Sequence, residues 1–338
     1  MEWQGRLASQ RACAIAGHVM KGRMLSAAAW VALAFGACPP QVALAQAYPS
    51  RAIEMIVPFP AGANSDLAAR ALAEGISKTL GQATVVTNKD GAAGTIGAAA
   101  AAAAQPDGYT IVFSAMGPVT AQPHLRDDLR YSAQSFDYIC QATDVFVIAS
   151  VSNESPHKSL KDLIAYARRN PDKLTYGHPG PGTVPHLLML QLASDQNLKL
   201  TPVPFRGDAL ALNNLLGNHI DILMSGDAAV IGKIRPLAVF AGDRLASLPD
   251  VPSTRELGLN TGFGTPNGLF APKGLSGEVL TKLRAACATA MKSDAFIEAM
   301  KKSGQNVSYL DGPAFADRIA QDSNTIAALI AKVGRPKN

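Results

Sequence analysis

Three loops rich in glycine, hydroxyl and amide residues are where this sequence could do chemistry. The first, Pro58-Phe59-Pro60-Ala61-Gly62-Ala63-Asn64-Ser65-Asp66, leads from an apolar segment into a helical one. Gly62 lets a ligand approach the backbone closely, and Ser65 or Asp66 can cap the helix. Such a helix start presents unpaired N–H groups and partial positive charge to an anion, although the same residues also suit an ordinary capped turn. The second loop, Asn88 to Gly97, carries Gly91, Gly94 and Gly97. That spacing is not G-x-G-x-x-G, so a dinucleotide site is excluded, leaving tight turning and packing or ligand contact. The third, Tyr176 to His186, puts Gly177, Gly180 and Gly182 ahead of Thr183, the expected N-cap of a helix with Pro185 in its first turn. A backbone of this kind can wrap a carboxylate. Pro185 breaks the dinucleotide pattern here as well. Gly226 to Lys233 is one residue too long for a phosphate loop, and Ile234 stands where a magnesium-ligating hydroxyl is needed.

Catalytic signatures are missing from the sequence. It has no G-x-S-x-G elbow, no H-E-x-x-H and no C-x-x-C. His124, His157, His178, His186 and His219 lack metal-ligand spacing to a second ligand. His186, near a helix start, borders the expected cleft or simply packs. Asp162, Asp172 and Asp208 sit at helix starts or turns, where capping accounts for them. The expectation is a protein that is not an enzyme and needs neither cofactor nor metal.

The elements that must position these loops alternate. Ile53–Val57, Thr84–Thr87 and Thr110–Phe113 read as strands, with helices over 66–80 and 95–104 between them. Leu67, Leu72, Ile76 and Leu80 are expected on one helix face. Alternation of this type gives a parallel sheet with right-handed crossovers. The apolar run Tyr138–Val151 is too long for one ordinary sheet and reads as a crossover into a second lobe. Helices are then expected over 160–169, 184–193 and 209–216, with strands at 174–176, 201–204, 221–224 and 237–240. Gly268–Ala271 is the return strand, followed by helices over 276–291, 294–302 and 313–333. The fold class is therefore α/β with two lobes, each a mostly parallel sheet flanked by helices. Residues 48–145 with 268–338 form the first lobe and 146–267 the second. Ligands of such sheets bind beyond the carboxyl ends of strands, which is where the three loops lie.

The chain's +5 formal charge is concentrated at its start. Beyond residue 47 there are 27 basic and 25 acidic residues, and no Lys/Arg-rich run with interleaved aromatics, which excludes a nucleic-acid footprint. Residues 1–47 read as an export segment. Lys21 and Arg23 flank the apolar stretch Leu25–Ala37, and small residues at 43–47 offer cleavage sites. Met20 or Met24 would suit that segment better as its start. A lipid anchor on Cys38 is the weaker alternative. The mature protein is expected in the periplasm. Cys140 and Cys287, far apart in sequence, read as two buried free thiols, although export permits a disulfide.

These loops carry a resemblance. Tyr48-Pro49-Ser50-Arg51 with Ile56-Val57-Pro58-Phe59-Pro60, the Asn88–Gly97 turn, Pro106-Asp107-Gly108-Tyr109-Thr110, Gly180-Pro181-Gly182-Thr183 with His186, and Leu248-Pro249-Asp250-Val251-Pro252 together resemble the Bug-type substrate-binding proteins of the tripartite tricarboxylate transporter family. The resemblance implies a clamshell of Venus-flytrap type that closes on a small carboxylate: a dicarboxylate, amino acid or aromatic acid. It implies a monomer working with membrane transporter subunits, or alternatively with a sensor kinase. Carried residue by residue, it puts Phe59, Gly62, Asn64, Ser65 and Asp66 at the ligand from the first lobe, with Ser114 and Gly117 facing the cleft. From the second lobe it puts Gly180, Gly182, Thr183, His186, Arg206, Gly207 and Ser225 there. Ala63 stands where the family has a second glycine, Ser225-Gly226 replaces Asp-Asn, and the stretch from Asp227 to Leu237 is short. These departures bear on ligand identity more than on fold.

Overall fold

A computed structural model describes residues 47–260 and 262–335. The expected export segment, with Cys38, lies outside them apart from Ala47. In chain order the elements are β1 (Ile53–Val57), α1 (Asn64–Leu80), β2 (Thr84–Asn88), α2 (Thr95–Ala102), β3 (Thr110–Ala115), α3 (Gly117–Thr120), α4 (Gln122–Leu125) and β4 (Phe136–Val145). Then come β5 (Val147–Val151), α5 (Leu160–Arg169), β6 (Thr175–His178), α6 (Val184–Gln196), β7 (Thr201–Pro204), α7 (Asp208–Leu216), β8 (Ile222–Gly226), α8 (Asp227–Val230) and β9 (Arg235–Phe240). The chain ends with β10 (Thr265–Pro272), α9 (Gly277–Met291), α10 (Asp294–Lys302), β11 (Asn306–Asp311) and α11 (Gly312–Val333).

Two mixed sheets result, ordered β11-β4-β10-β3-β1-β2 and β7-β6-β8-β5-β9. In the first, β1 to β4 run one way and only β10 and β11 run back. In the second, only β5 opposes the rest. Both sheets are thus mostly parallel in direction, flanked by helices, and the fold is α/β and two-lobed. The run Tyr138–Val151 is two strands, not one. β4 ends at Val145 in the first sheet and β5 begins at Val147 in the second. Both are buried, so hydropathy gave no sign of the break at Phe146.

Local sequence explains the helices. In α5, Leu160, Leu163, Ile164 and Ala167 form one buried face, and Ser159 Oγ accepts from Asp162 N–H at the start. In α1 the buried face is Ala68, Ala69, Leu72, Ala73 and Ile76, while Leu67 points outward at 41% exposure. Gly81, in the left-handed region, ends that helix. Gly97 in α2 sits so close to Pro58 that any Cβ would collide with it, so this glycine serves packing.

Two features tie the lobes together. α11 contributes to both cores. Phe315 and Ile319 pack with Tyr138 and Phe270, whereas Ile326, Leu329 and Ile330 pack with the second-lobe residues around Leu188 and Leu192. Midway along α11, Arg318 pairs with Asp144 (2.6 Å), at the end of β4, and donates to the Gly264 carbonyl (3.0 Å), just before β10. One guanidinium therefore holds both crossing segments. The expectation of free thiols is corrected: Cys140 and Cys287 form a disulfide, their Cα atoms 6.6 Å apart. β4 lies inside its sheet and α9 packs across it, which brings together residues 147 positions apart.

Candidate functional site

The expected loops lie at the carboxyl ends of β1, β6, β7 and β8, where the two lobes touch. Gly226, closing β8, faces the first lobe: a Cβ there would meet Val145 and lie 3.8 Å from Asn64 Nδ2. Gln122 Nε2 donates to the Gly182 carbonyl (3.1 Å), and Asn306 Nδ2 donates to Asp227 Oδ2 (2.8 Å). A Cβ on Gly182 would collide with Leu125. First-lobe and second-lobe loops thus meet directly at the boundary between the lobes.

The first loop is ordered by Asp66, which caps nothing in the expected sense. Its carboxylate accepts from Gly62 N–H (2.8 Å), Asn88 Nδ2 (2.9 Å) and Arg70 (3.0 Å). Burial alone would push this carboxyl up, but those three donors together hold it below the ordinary carboxylate value. Ser65 does not cap either. It donates to Asn267 Oδ1 (3.1 Å), and Asn267 Nδ2 donates to Thr143 Oγ1 (3.0 Å), a buried chain across α1, β10 and β4. The helix start is left to Ala63, with no side-chain cap, so the first-turn N–H groups of Asn64, Ser65 and Asp66 are unclaimed by any cap. Gly62 (φ 82°) has open space where a Cβ would stand. Phe59 is half-buried and accepts from Asn88 through its carbonyl. Ser114 is buried, donating to the Ala115 carbonyl, and Gly117 opens α3 with free space beside it.

The third loop folds back on itself. Thr183 occupies the N-cap position of α6, but its hydroxyl makes no cap bond and donates instead to the Gly180 carbonyl (2.7 Å). Gly182 N–H donates to His186 Nδ1 (3.1 Å), and His178 Nδ1 lies 2.8 Å from the Gly180 carbonyl. The two imidazoles stack at 4.0 Å, 9° from parallel. Burial drives His178 down to about 4 and His186 down to about 3, the latter helped by its neighbour, so both are neutral at pH 7. His186 is thus a buried, neutral ring that helps to shape the loop. Gly180 and Gly182, both at positive φ, turn their N–H groups inward.

At the β7–α7 turn, Arg206 is exposed and Gly207 (φ 93°) caps α7 without a side chain. Asp208 was read as a capping acid, yet it lies inside the helix start, and its Oδ1 is sealed from solvent without a partner. Ser225 Oγ, at the end of β8, is likewise buried and unpartnered. Sequence reasoning passed over Gln122, Asn267 and Asn306. The available signal was topological: β10 runs backward, so its first residues lie beside the carboxyl ends of β3 and β4.

A pattern emerges among the longer described helices. α5, α9, α10 and α11 are capped by Ser159, Ser276, Ser293 and Asp311. α1, α6 and α7, which begin at the cleft, have no side-chain cap. Helix starts left open in this way suit an anion.

Comparison with known proteins agrees with this geometry. Residues 68–335 match the model of the tripartite tricarboxylate transporter family receptor. A Cupriavidus necator protein from the gbd 5′ region is 34% identical over 92% of this chain and 96% of its own. The periplasmic binding protein BugD superposes with a TM-score of 0.78 at 34% identity, covering 86% of this chain and all of its own. MatC of Rhodopseudomonas palustris, solved with bound malate, gives 0.76 at 28% identity, covering 84% of this chain and all of its own. With lobes, cleft loops and sequence in agreement, this chain belongs to the receptor family of the tripartite tricarboxylate transporters.

Proposed function

We propose that the protein is an extracytoplasmic solute receptor that closes its lobes on a small carboxylate, delivers it to a membrane carrier of the tripartite type, and does no chemistry on it. The observation that carries this reading is the pair of uncapped helix starts at α1 and α6, where the lobes meet, while α5, α9, α10 and α11 are capped. The cleft loops present glycines, amides and hydroxyls, with no nucleophile held against a base. Malate bound to MatC, a family relative, supports a carboxylate ligand. In this assignment Asn64 and Ser65 meet the carboxylate through their backbone, and Gly62 leaves open space for its approach. Asp66, Thr183 and His186 position the loops, and Gly180, Gly182, Gly207 and Ser225 form the opposing wall.

The energetics are adequate. A hydrogen bond to a charged group contributes about 1.5–3 kcal/mol. Several of them, less ordering costs, reach the roughly −8 kcal/mol of micromolar binding. A thermal-shift screen of monocarboxylates, dicarboxylates and amino acids, followed by calorimetry, tests the proposal. A true ligand at about 100 times its Kd stabilises by about 2.7 kcal/mol. Failure of every carboxylate to shift the melting curve, or conversion of a bound one into product, would refute it.

A further inference from the structure

Asp208 is an acid in the wrong place for an anion receptor. It follows Gly207 at the start of α7, and its carboxyl lies near the N–H of Gly226. Gly226 is the residue that faces Asn64 across the cleft. Asp208 Oδ1 has neither solvent nor a hydrogen-bond partner. Beside it in the fold, Ser225 Oγ is in the same condition. Ser225 lies two residues beyond Leu223 on β8 and so shares its face; Leu223 packs with Ala211 and Leu212 of α7, which puts the Ser225 hydroxyl on the α7 side. Two orphaned polar atoms thus share one corner of the second-lobe wall. The charged side chains on the adjoining elements are Arg206, exposed on the same turn, and Asp227, held by Asn306 from β11.

A buried acceptor left unmade is destabilising, and more so when it is charged. Asp66, the acid at the start of α1, has three kinds of donor around it, whereas Asp208 Oδ1 has none. A second carboxylate brought to this corner would set like charges together. An ammonium group would bring opposite charge and three donors, enough for Asp208 Oδ1 and Ser225 Oγ together.

We propose that Asp208, with Ser225, forms a subsite for a protonated amine, so that the ligand is an amino-acid-like zwitterion rather than a dicarboxylate. This inference rests on the receptor reading above. The ligand's carboxylate meets the open start of α1, and its ammonium group meets Asp208 from the other lobe. Closure is then driven by a ligand whose two charges match two walls.

The test uses the purified mature protein and calorimetry on matched pairs: each of a set of L-amino acids, and the same acid without its amine, such as glutamate with glutarate and alanine with propionate. At least one amino acid should bind ten-fold or more tighter than its deaminated partner, and Asp208→Asn should erase that ratio. Ser225→Ala should weaken the amino acid several-fold more than the deaminated acid. A second readout needs no variant. Burial pushes the Asp208 carboxyl up to about 6. An ammonium ligand stabilises its ionised form, so binding near pH 6 should release a proton and tighten as pH rises. A dicarboxylate would take up a proton there. Tighter binding of the deaminated acids, an unchanged ratio in Asp208→Asn, or proton uptake with the amino acid overturns the subsite while leaving the receptor reading intact. If no carboxylate of either kind binds, both fall together.

Discussion

His178 and His186 show how a buried residue pair can order a glycine-rich loop. Their stacked rings hold the loop backbone, His178 donating to the Gly180 carbonyl and His186 accepting from the Gly182 N–H, and burial keeps both neutral. Because their folded values lie below the ordinary 6.5, the unfolded chain takes up protons first as pH falls. Their contribution is fully present above about 6.5 and is lost as pH falls toward 4. At about 1.36 kcal/mol per pH unit, that loss is of order 3 kcal/mol for one such histidine. Urea unfolding at pH 7 and pH 4.5 should show it, and a His178→Asn/His186→Asn variant should be weaker at pH 7 with a flatter pH profile. An unchanged profile would show that the pair does not titrate in this range. The sequence displayed both histidines but not their pairing, since strand, turn and helix must fold before residues eight apart can stack. Asp208 was misread for a related reason: from sequence, an acid at a helix start looks like a cap whether or not its oxygens find a donor.

Elements with strong punctuation were legible. The helices over 160–169 and 294–302 have the bounds read from sequence, because Ser159 and Ser293 cap them and their apolar residues keep helical spacing. β11 was missed. It is an edge strand whose residues alternate between half-buried and exposed, with Val307 and Tyr309 outward, so no apolar run announces it. α11 was legible as a helix with one apolar stripe, but not as a shared one. Ile326, Leu329 and Ile330 are buried in the second-lobe core, although Phe315 and Ile319 serve the first. Ile326→Ala should therefore cost about 2–5 kcal/mol. Hydrogen exchange should show protection lost in α6 as well as α11. Loss confined to α11 would mean that the helix end is only an appendage.

At the scale of the whole molecule, the Arg318 node sits where both crossing segments leave the first sheet. Asp144 and Asp322 both face it, with Asp322 at a long 3.5 Å. Burial, reinforced by Asp144, pushes Asp322 up to about 6 despite Arg318. A folded value above the unfolded one means that ionisation costs stability, starting as pH rises through about 4 and complete above 6. Asp322→Asn should thus stabilise the protein at pH 7.5 by roughly 2–3 kcal/mol and leave it unchanged at pH 4. Equal effects at both values would assign the change to packing instead. The two-lobed plan was readable from strand alternation, and the cleft from its loops. The disulfide and the Arg318 clamp were not, because both join positions that only the finished sheet order brings together.

The double allegiance of α11 also bears on how the chain matures. The second sheet is built from one continuous stretch, β5 to β9, and could assemble as soon as that stretch is free. Its core nevertheless awaits Ile326, Leu329 and Ile330, and the first sheet awaits β10 as an interior strand. Neither lobe is complete until almost the last residue has been delivered. A chain passing start-first through a narrow channel would stay pliable until its tail arrives, and then both halves would set at once.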